Sequence, residues 1–174
     1  MKSVKIVAGI LKLISYIMSA FYLLTSVYGA IVIIFLRNPE LGFFTVIGDG
    51  SFKINYPFSN MPFLVGDNTA RYLLMLVVTF LGYGIFALLL GKVFWVFTRA
   101  KLFTSAALRW LKVFYLYNFI APLSVLILNL FFTDDIRDYV IISILHAIIG
   151  VFAWFFSVMF KQALFLQEEQ DLTL

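Results

Sequence analysis

Tyr72-Leu73-Leu74-Met75-Leu76-Val77-Val78-Thr79-Phe80-Leu81-Gly82-Tyr83-Gly84-Ile85-Phe86-Ala87-Leu88-Leu89-Leu90-Gly91 is a run of twenty uncharged residues, closed by Arg71 on one side and Lys92 on the other. An α-helix rises about 1.5 Å per residue, so this run measures about 30 Å, the thickness of a bilayer's hydrocarbon core. Working outward from it, the apolar segments of the chain are residues 6–36, 72–97, 110–132 and 139–166. Each reaches the roughly 20 residues that a membrane-crossing helix needs. Composition agrees. Of 174 residues, 63% are hydrophobic and only 13% charged, and the mean hydropathy is +1.02. A soluble domain would carry nearer about 25% charged residues to cover its surface. The reading is an all-α membrane protein, a four-transmembrane-helix bundle forming a single integral membrane domain over residues 1–174. The spans leave little chain for a separate soluble domain.

Lys2 and Lys5 ahead of an apolar run have the look of a signal peptide. The run is about twice the length of a signal peptide's apolar region, which is about 7–15 residues. It reads as an uncleaved first span. Lys12, near its end, can lift its ammonium to the headgroups while its stem stays apolar. Orientation follows from Lys and Arg near the span ends. One side holds Lys2, Lys5, Lys12, Lys92, Arg99, Lys101, Arg109, Lys112 and Lys161; the other holds Arg37, Lys53, Arg71 and Arg137. Nine against four predicts a multi-pass protein with both termini and the middle loop in the cytoplasm. The net charge of +4 then belongs to the cytoplasmic membrane surface. It suits membrane lipid, anionic lipid above all, better than nucleic acid.

Arg37-Asn38-Pro39 ends the first span with a charge, a turn former and a helix breaker. The loop over residues 37–71 reads as a short extracytoplasmic β-hairpin between spans one and two. Phe43-Phe44-Thr45-Val46-Ile47 is β-prone, Gly48-Asp49-Gly50-Ser51 is a turn, and Phe52-Lys53-Ile54-Asn55-Tyr56 alternates apolar and polar. Pro57 and Pro62 are expected to end the pairing. The hairpin suits a cap on the outer end of the bundle, or alternatively a sensor or ligand-binding lid. In span two, Gly82, Gly84 and Gly91 allow close helix approach or a slight bend.

Between spans two and three, Thr104 or Ser105 can cap a new helix. Leu108 and Leu111 lie three apart, as do Arg109 and Lys112, which gives an amphipathic start with a basic face. Pro122 is expected to kink span three. Thr133-Asp134-Asp135-Ile136-Arg137-Asp138 is a tight acidic turn that makes spans three and four an antiparallel hairpin.

No motif for catalysis stands out: there is no phosphate loop, nucleophile elbow or histidine pair at helical spacing. Catalytic, cofactor and metal residues are therefore predicted to be none, and the chain is expected not to be an enzyme. Cysteine is absent, which removes disulfides, thiolate metal sites and cysteine nucleophiles. The intramembrane polar residues are His146, Asn118 and Asn129. An ionisable residue at membrane depth is a functional candidate by default. His146 suits a proton relay or pH sensor, or else a neutral imidazole bonded to Asn118, Asn129 or a backbone carbonyl. Small residues Ala147, Gly150 and Ala153 follow it.

The tail over residues 167–174 places acids on the otherwise basic side. Glu168, Glu169 and Asp171 at a helix C-terminus oppose the macrodipole, so local helix physics does not ask for them. They read as a latch onto Arg99, Lys101, Arg109 and Lys112, as a docking peptide with Leu172 and Leu174 as apolar anchors, or as a solvated tail. Leu166-Gln167-Glu168-Glu169-Gln170-Asp171-Leu172-Thr173-Leu174 resembles the ending of the bacterial "domain of unknown function 2975" membrane proteins, small four-span proteins. Phe103-Thr104-Ser105, followed by Arg109 and Lys112, resembles the segment before their third span. Ala163 departs from the family, where a glycine is common.

The resemblance implies a non-enzymatic regulatory or scaffolding role. Members are commonly encoded beside a small helix-turn-helix regulator, which such a protein would sequester or modulate. The partner-binding residues expected on that basis are Glu168, Glu169, Asp171, Leu172, Leu174, Arg99, Lys101 and Arg109. The alternatives are a small transporter or channel component, with flux depending on His146, Asn118 or Asn129, and a lipid-interacting accessory protein.

Overall fold

A computed structural model describes residues 2–48, 50–131 and 136–172; the side chains of Pro39, Asp171 and Leu172 lie outside that description. Among these residues, four helices are each long and apolar enough to cross a bilayer. They are α1 (Lys2–Phe35), α2 (Ala70–Phe97), α3 (Ser105–Leu130) and α4 (Arg137–Leu172). The chain thus has the build of a multi-pass membrane protein. It divides into two compact units, Ser19–Ile85 and Met1–Met18 with Phe86–Leu174.

In the Ser19–Ile85 unit, small polar side chains join the helices. The Ser19 hydroxyl donates to the Gly84 carbonyl at 2.8 Å and the Ser26 hydroxyl to the Val77 carbonyl at 3.0 Å. Leu23 fills the space that a side chain at Gly84 would need. A Cβ there would stand 2.6 Å from Leu23 Cδ2 and 3.2 Å from the Leu23 backbone nitrogen. The expected close approach at Gly84 is therefore present.

After α1, a 3-10 turn (Pro39–Leu41) leads into three strands, β1 (Phe44–Val46), β2 (Ser51–Asn55) and β3 (Pro62–Asp67). They form an antiparallel meander in the order β1-β2-β3, with Phe44 opposite Ile54, and Ile54 opposite Leu64. The expected two-stranded hairpin is corrected here. Pro57 ends β2's pairing, but Pro62 opens a third strand. A proline has no N–H to give a ladder, which is harmless at the first residue of an edge strand. The register also shifts between Ile54 and Asn55, which re-aims the chain at that end. Alternation buries Phe52 and Ile54 together with Phe44, Val32 and Leu73. Phe44 and Phe52 stack at 5.6 Å. Arg37 lies 5.0 Å over the Phe44 ring and donates to Asn68 Oδ1 at 3.0 Å. At the other end, the Tyr28 hydroxyl donates to the Asn55 carbonyl at 2.6 Å, which ties β2 down to α1.

The β2–β3 turn is unusual. Ser59 N–H donates to the Tyr56 carbonyl at 3.1 Å, with Pro57 and Phe58 as the corner residues. Phe58 has φ of 60°, the left-handed region that normally falls to Gly or Asn. A phenylalanine there costs about 1–2 kcal/mol.

In the Met1–Met18 and Phe86–Leu174 unit, α3 and α4 pack antiparallel. Pro122 faces Ser143, Asn118 faces His146 and Phe103, just ahead of α3, faces Phe160, so the two segments run in opposite order. The antiparallel arrangement matches expectation. Thr133, Asp134 and Asp135 of the expected acidic turn lie outside the described residues, as does Phe132, the expected end of span three. Helix α3 begins where the hydroxyl of Thr104 accepts from the Ala107 N–H at 3.2 Å, with Thr104 extended at φ −141° and ψ 155°. It continues through Pro122 to Leu130. A buried cluster of Val96, Ala107, Leu111 and Phe160 closes the end of α3 near the cap. Helix α4 does not stop at Leu166, where the apolar run ends, but continues to Leu172.

Candidate functional site

Two places hold the polar groups that the sequence singles out. The first is within the apolar length of α3 and α4. Asn118 is fully buried, and its amide faces two ways. The Nδ2 group donates to the Phe114 carbonyl one turn back, at 2.8 Å. Its Oδ1 lies 2.8 Å from His146 Nδ1. A carboxamide oxygen only accepts, so His146 Nδ1 carries the proton and donates. That fixes the Nδ1–H tautomer when the ring is neutral and puts the lone pair on Nε2.

The surroundings hold the ring in place. Phe86 meets it edge-on at 5.2 Å. Gly150, one turn along α4, lets Phe119 close in: a Cβ there would lie 3.1 Å from the Phe119 ring. Pro122 has no N–H to return to the Asn118 carbonyl, so the backbone gap and the polar pair fall at one residue. The Ser143 hydroxyl donates to the Pro122 carbonyl at 3.3 Å.

Of the partners left open for His146, the structure brings Asn118. Asn129 does not join them. It is eleven residues further along α3, about 16 Å on the helix axis. It is fully buried and donates to its own helix, Nδ2 to the Val125 carbonyl at 2.9 Å. The three intramembrane polar residues thus make one pair and one separate asparagine. Among the described residues, no group of three His, Cys, Asp or Glu side chains is placed to hold a metal ion.

The second place is the lysine- and arginine-rich end of the same unit. Arg99, Lys101 and Arg109 are exposed there, and so are Glu168 and Glu169. Arg99 lies 4.6 Å over the Trp95 ring, which holds its guanidinium against α2. Phe97 and Phe103, flanking the α2–α3 connection, both meet Phe160 edge-on, at 5.9 and 5.1 Å. That contact sets the level of the connection on α4. Glu168 lies eight residues beyond Phe160, about 12 Å further along the axis. Glu168 and Glu169 therefore stand on the extension of α4 beyond Phe160. Asp171 and Leu172 lie on the last turn of α4 by backbone alone, and Leu174 is outside the described residues.

Sequence reasoning missed a third feature here. Lys92, which closes the uncharged run of span two, has its ammonium 5.2 Å over the Trp110 ring and 6.0 Å from that of Tyr16. An ammonium over an indole face is attracted by the ring quadrupole. No short spacing signals this, because Tyr16, Lys92 and Trp110 come from three different helices. Tyr16 also occupies the space beside Gly91, where a Cβ would meet its ring at 2.5 Å.

Compared with known proteins, the chain matches no family model, no curated protein and no solved structure.

Proposed function

We propose that this chain is a non-enzymatic regulatory or scaffolding protein of a bacterial inner membrane, with both termini and the basic connection in the cytoplasm. In this reading its cytoplasmic end holds a small helix-turn-helix regulator through Glu168, Glu169, Asp171, Leu172 and Leu174, with Arg99, Lys101 and Arg109 alongside. The observation that carries it is the continuation of α4 to Leu172. Glu and Gln are good helix formers, yet acids at this end work against the helix dipole. Their exposure beyond the apolar length fits selection for a contact outside the chain. The kind of regulator is taken from the resemblance of the tail and of the segment before α3 to the four-span family.

The test is capture from native membranes in mild detergent, with the full-length chain beside one lacking residues 167–174. The expected result is a small DNA-binding protein retained by the full-length chain only, with membrane insertion unchanged. Equal retention by both, or no such protein in either, overturns the proposal.

The bond between half-buried His146 and buried Asn118 favours a second reading, a small transporter or channel component. It predicts proton or solute flux in liposomes that falls when His146 is replaced by Gln. Flux unchanged by that replacement removes it.

A further inference from the structure

The β2–β3 turn combines several properties that a loop in water would avoid. Phe58 is 99% exposed, with Met61 at 68% and Tyr56 at 48% beside it. Phe58 is held at a left-handed φ of 60°, where a glycine would sit without strain. The turn lies inside thirteen consecutive residues without a charge, from Ile54 to Gly66. The opposite end of the sheet is where polarity gathers, with Arg37 bonded to Asn68 and Asp67 exposed.

Depth along α1 explains the asymmetry. Lys12 and Arg37 enclose the uncharged length of α1, and Arg71 and Lys92 that of α2. Twenty residues counted from Lys12, enough for a hydrocarbon core, end at Val32. The sheet packs on Val32 and Leu73, so its base sits where these helices leave the apolar layer. Its β2–β3 end reaches back further. Asn55 is bonded to Tyr28, and Leu64 Cδ1 lies 4.0 Å from the position of a Cβ at Gly29. Tyr28 is seven residues, about two turns, short of the end of α1. The turn over residues 56–61 follows directly on Asn55 and therefore lies near the level of Tyr28, beside the apolar length of α1.

We infer that this turn is a membrane anchor, with Phe58 and Met61 seated among the acyl chains just below the headgroups of the leaflet nearest the sheet. Tyr56 supplies an aromatic ring at the interface, the level where such rings are enriched. Tyr56 and Phe63 pack at 4.6 Å and Phe63 meets Tyr28 at 6.1 Å, so the anchor is braced against α1. The partner is lipid, chosen over a second protein by the depth of the turn and its lack of any charge to set a protein register. The inference holds for either orientation of the chain and is independent of the proposed regulator.

The absence of cysteine makes a direct test clean. Phe58→Cys, Met61→Cys and Gly48→Cys, each in the full chain, are labelled with a nitrobenzoxadiazole fluorophore. Gly48 is exposed at the opposite end of the sheet, with nothing within 4 Å of a Cβ placed there. The chains are placed in nanodiscs of phosphatidylethanolamine and phosphatidylglycerol, which are open to solvent on both faces. The expected result at 58 and 61 is a blue-shifted emission. Quenching by nitroxide-labelled acyl chains should be several-fold stronger than at 48, and quenching by iodide several-fold weaker. Iodide access at 58 and 61 equal to that at 48 overturns the inference. So does protection from iodide without nitroxide quenching, which would mean that protein, a second copy included, covers the turn.

Discussion

The Ser19–Ile85 unit and the unit of Met1–Met18 with Phe86–Leu174 are built from similar apolar helices but held by different means. In the first, small residues let helices come together and serine hydroxyls bond to backbone carbonyls across the gap. In the second, one serine hydroxyl also reaches a backbone carbonyl, but a side-chain amide meets an imidazole and rings meet rings around Phe160. Lipid tails are as apolar as leucine, so helix association there depends on close packing and on polar bonds. Backbone contact at a glycine cannot adapt to a new side chain, whereas a contact made by ring edges can.

The sharpest test of that contrast substitutes one methyl into each unit. Gly84→Ala places its Cβ against Leu23 backbone as well as side chain, and overpacking of this kind is expected to cost about 1–3 kcal/mol. Gly150→Ala meets only the far edge of the Phe119 ring, and the loss should be clearly smaller. Thermal unfolding in detergent, followed by circular dichroism, measures both. Equal losses would erase the distinction between the units.

Asn118→Leu comes next. It takes the acceptor away from His146 Nδ1–H in an apolar setting, at an expected cost of about 1–2 kcal/mol. Adding His146→Leu should recover part of that loss, because removing both partners of a buried bond is milder than removing one. A double-mutant cycle in the same unfolding assay gives the coupling, and a coupling of zero would mean the pair is not a bond.

Phe58→Gly is expected to act in the opposite direction. In detergent it should stabilise the fold by about 1 kcal/mol, since it relieves the left-handed backbone. A loss of stability there would mean that the phenylalanine ring supports the sheet.

Ser19→Ala should have the smallest effect, about 0.6 kcal/mol, the average found for such hydrogen bonds inside membranes. Its removal is cushioned because the Gly84 carbonyl keeps its place in the helix ladder. A loss as large as that of Gly84→Ala would move the hydroxyl from a secondary to a leading role in this unit.

The helices are legible because charge brackets them: Arg71 and Lys92 mark the apolar length of α2 by residue type alone. Their ends are less so. Apolar content stops at Leu166, but Gln167-Glu168-Glu169-Gln170 has good helix propensity, so α4 runs past the point where hydropathy falls silent. The third strand is hidden by Pro62, which reads as a breaker and serves instead as the first residue of an edge strand. For the polar residues, sequence supplies the candidates without the register. His146 and Asn118 are 28 positions apart, and only the antiparallel packing of α3 on α4 selects Asn118 over Asn129. The cradle of Lys92 is less legible again, since it gathers three helices at once.

Helix α4 spans 36 residues from Arg137 to Leu172, about 54 Å end to end. A bilayer core takes up only about 30 Å of that. An unbroken rod longer than the layer it crosses acts as a lever. When the bilayer thins, such a rod leans over, and the swing is greatest at its far tip. Glu168 and Glu169, near that tip, would be displaced further than any group at the level of Phe160. In a membrane the position of the acids would therefore follow the thickness of the bilayer.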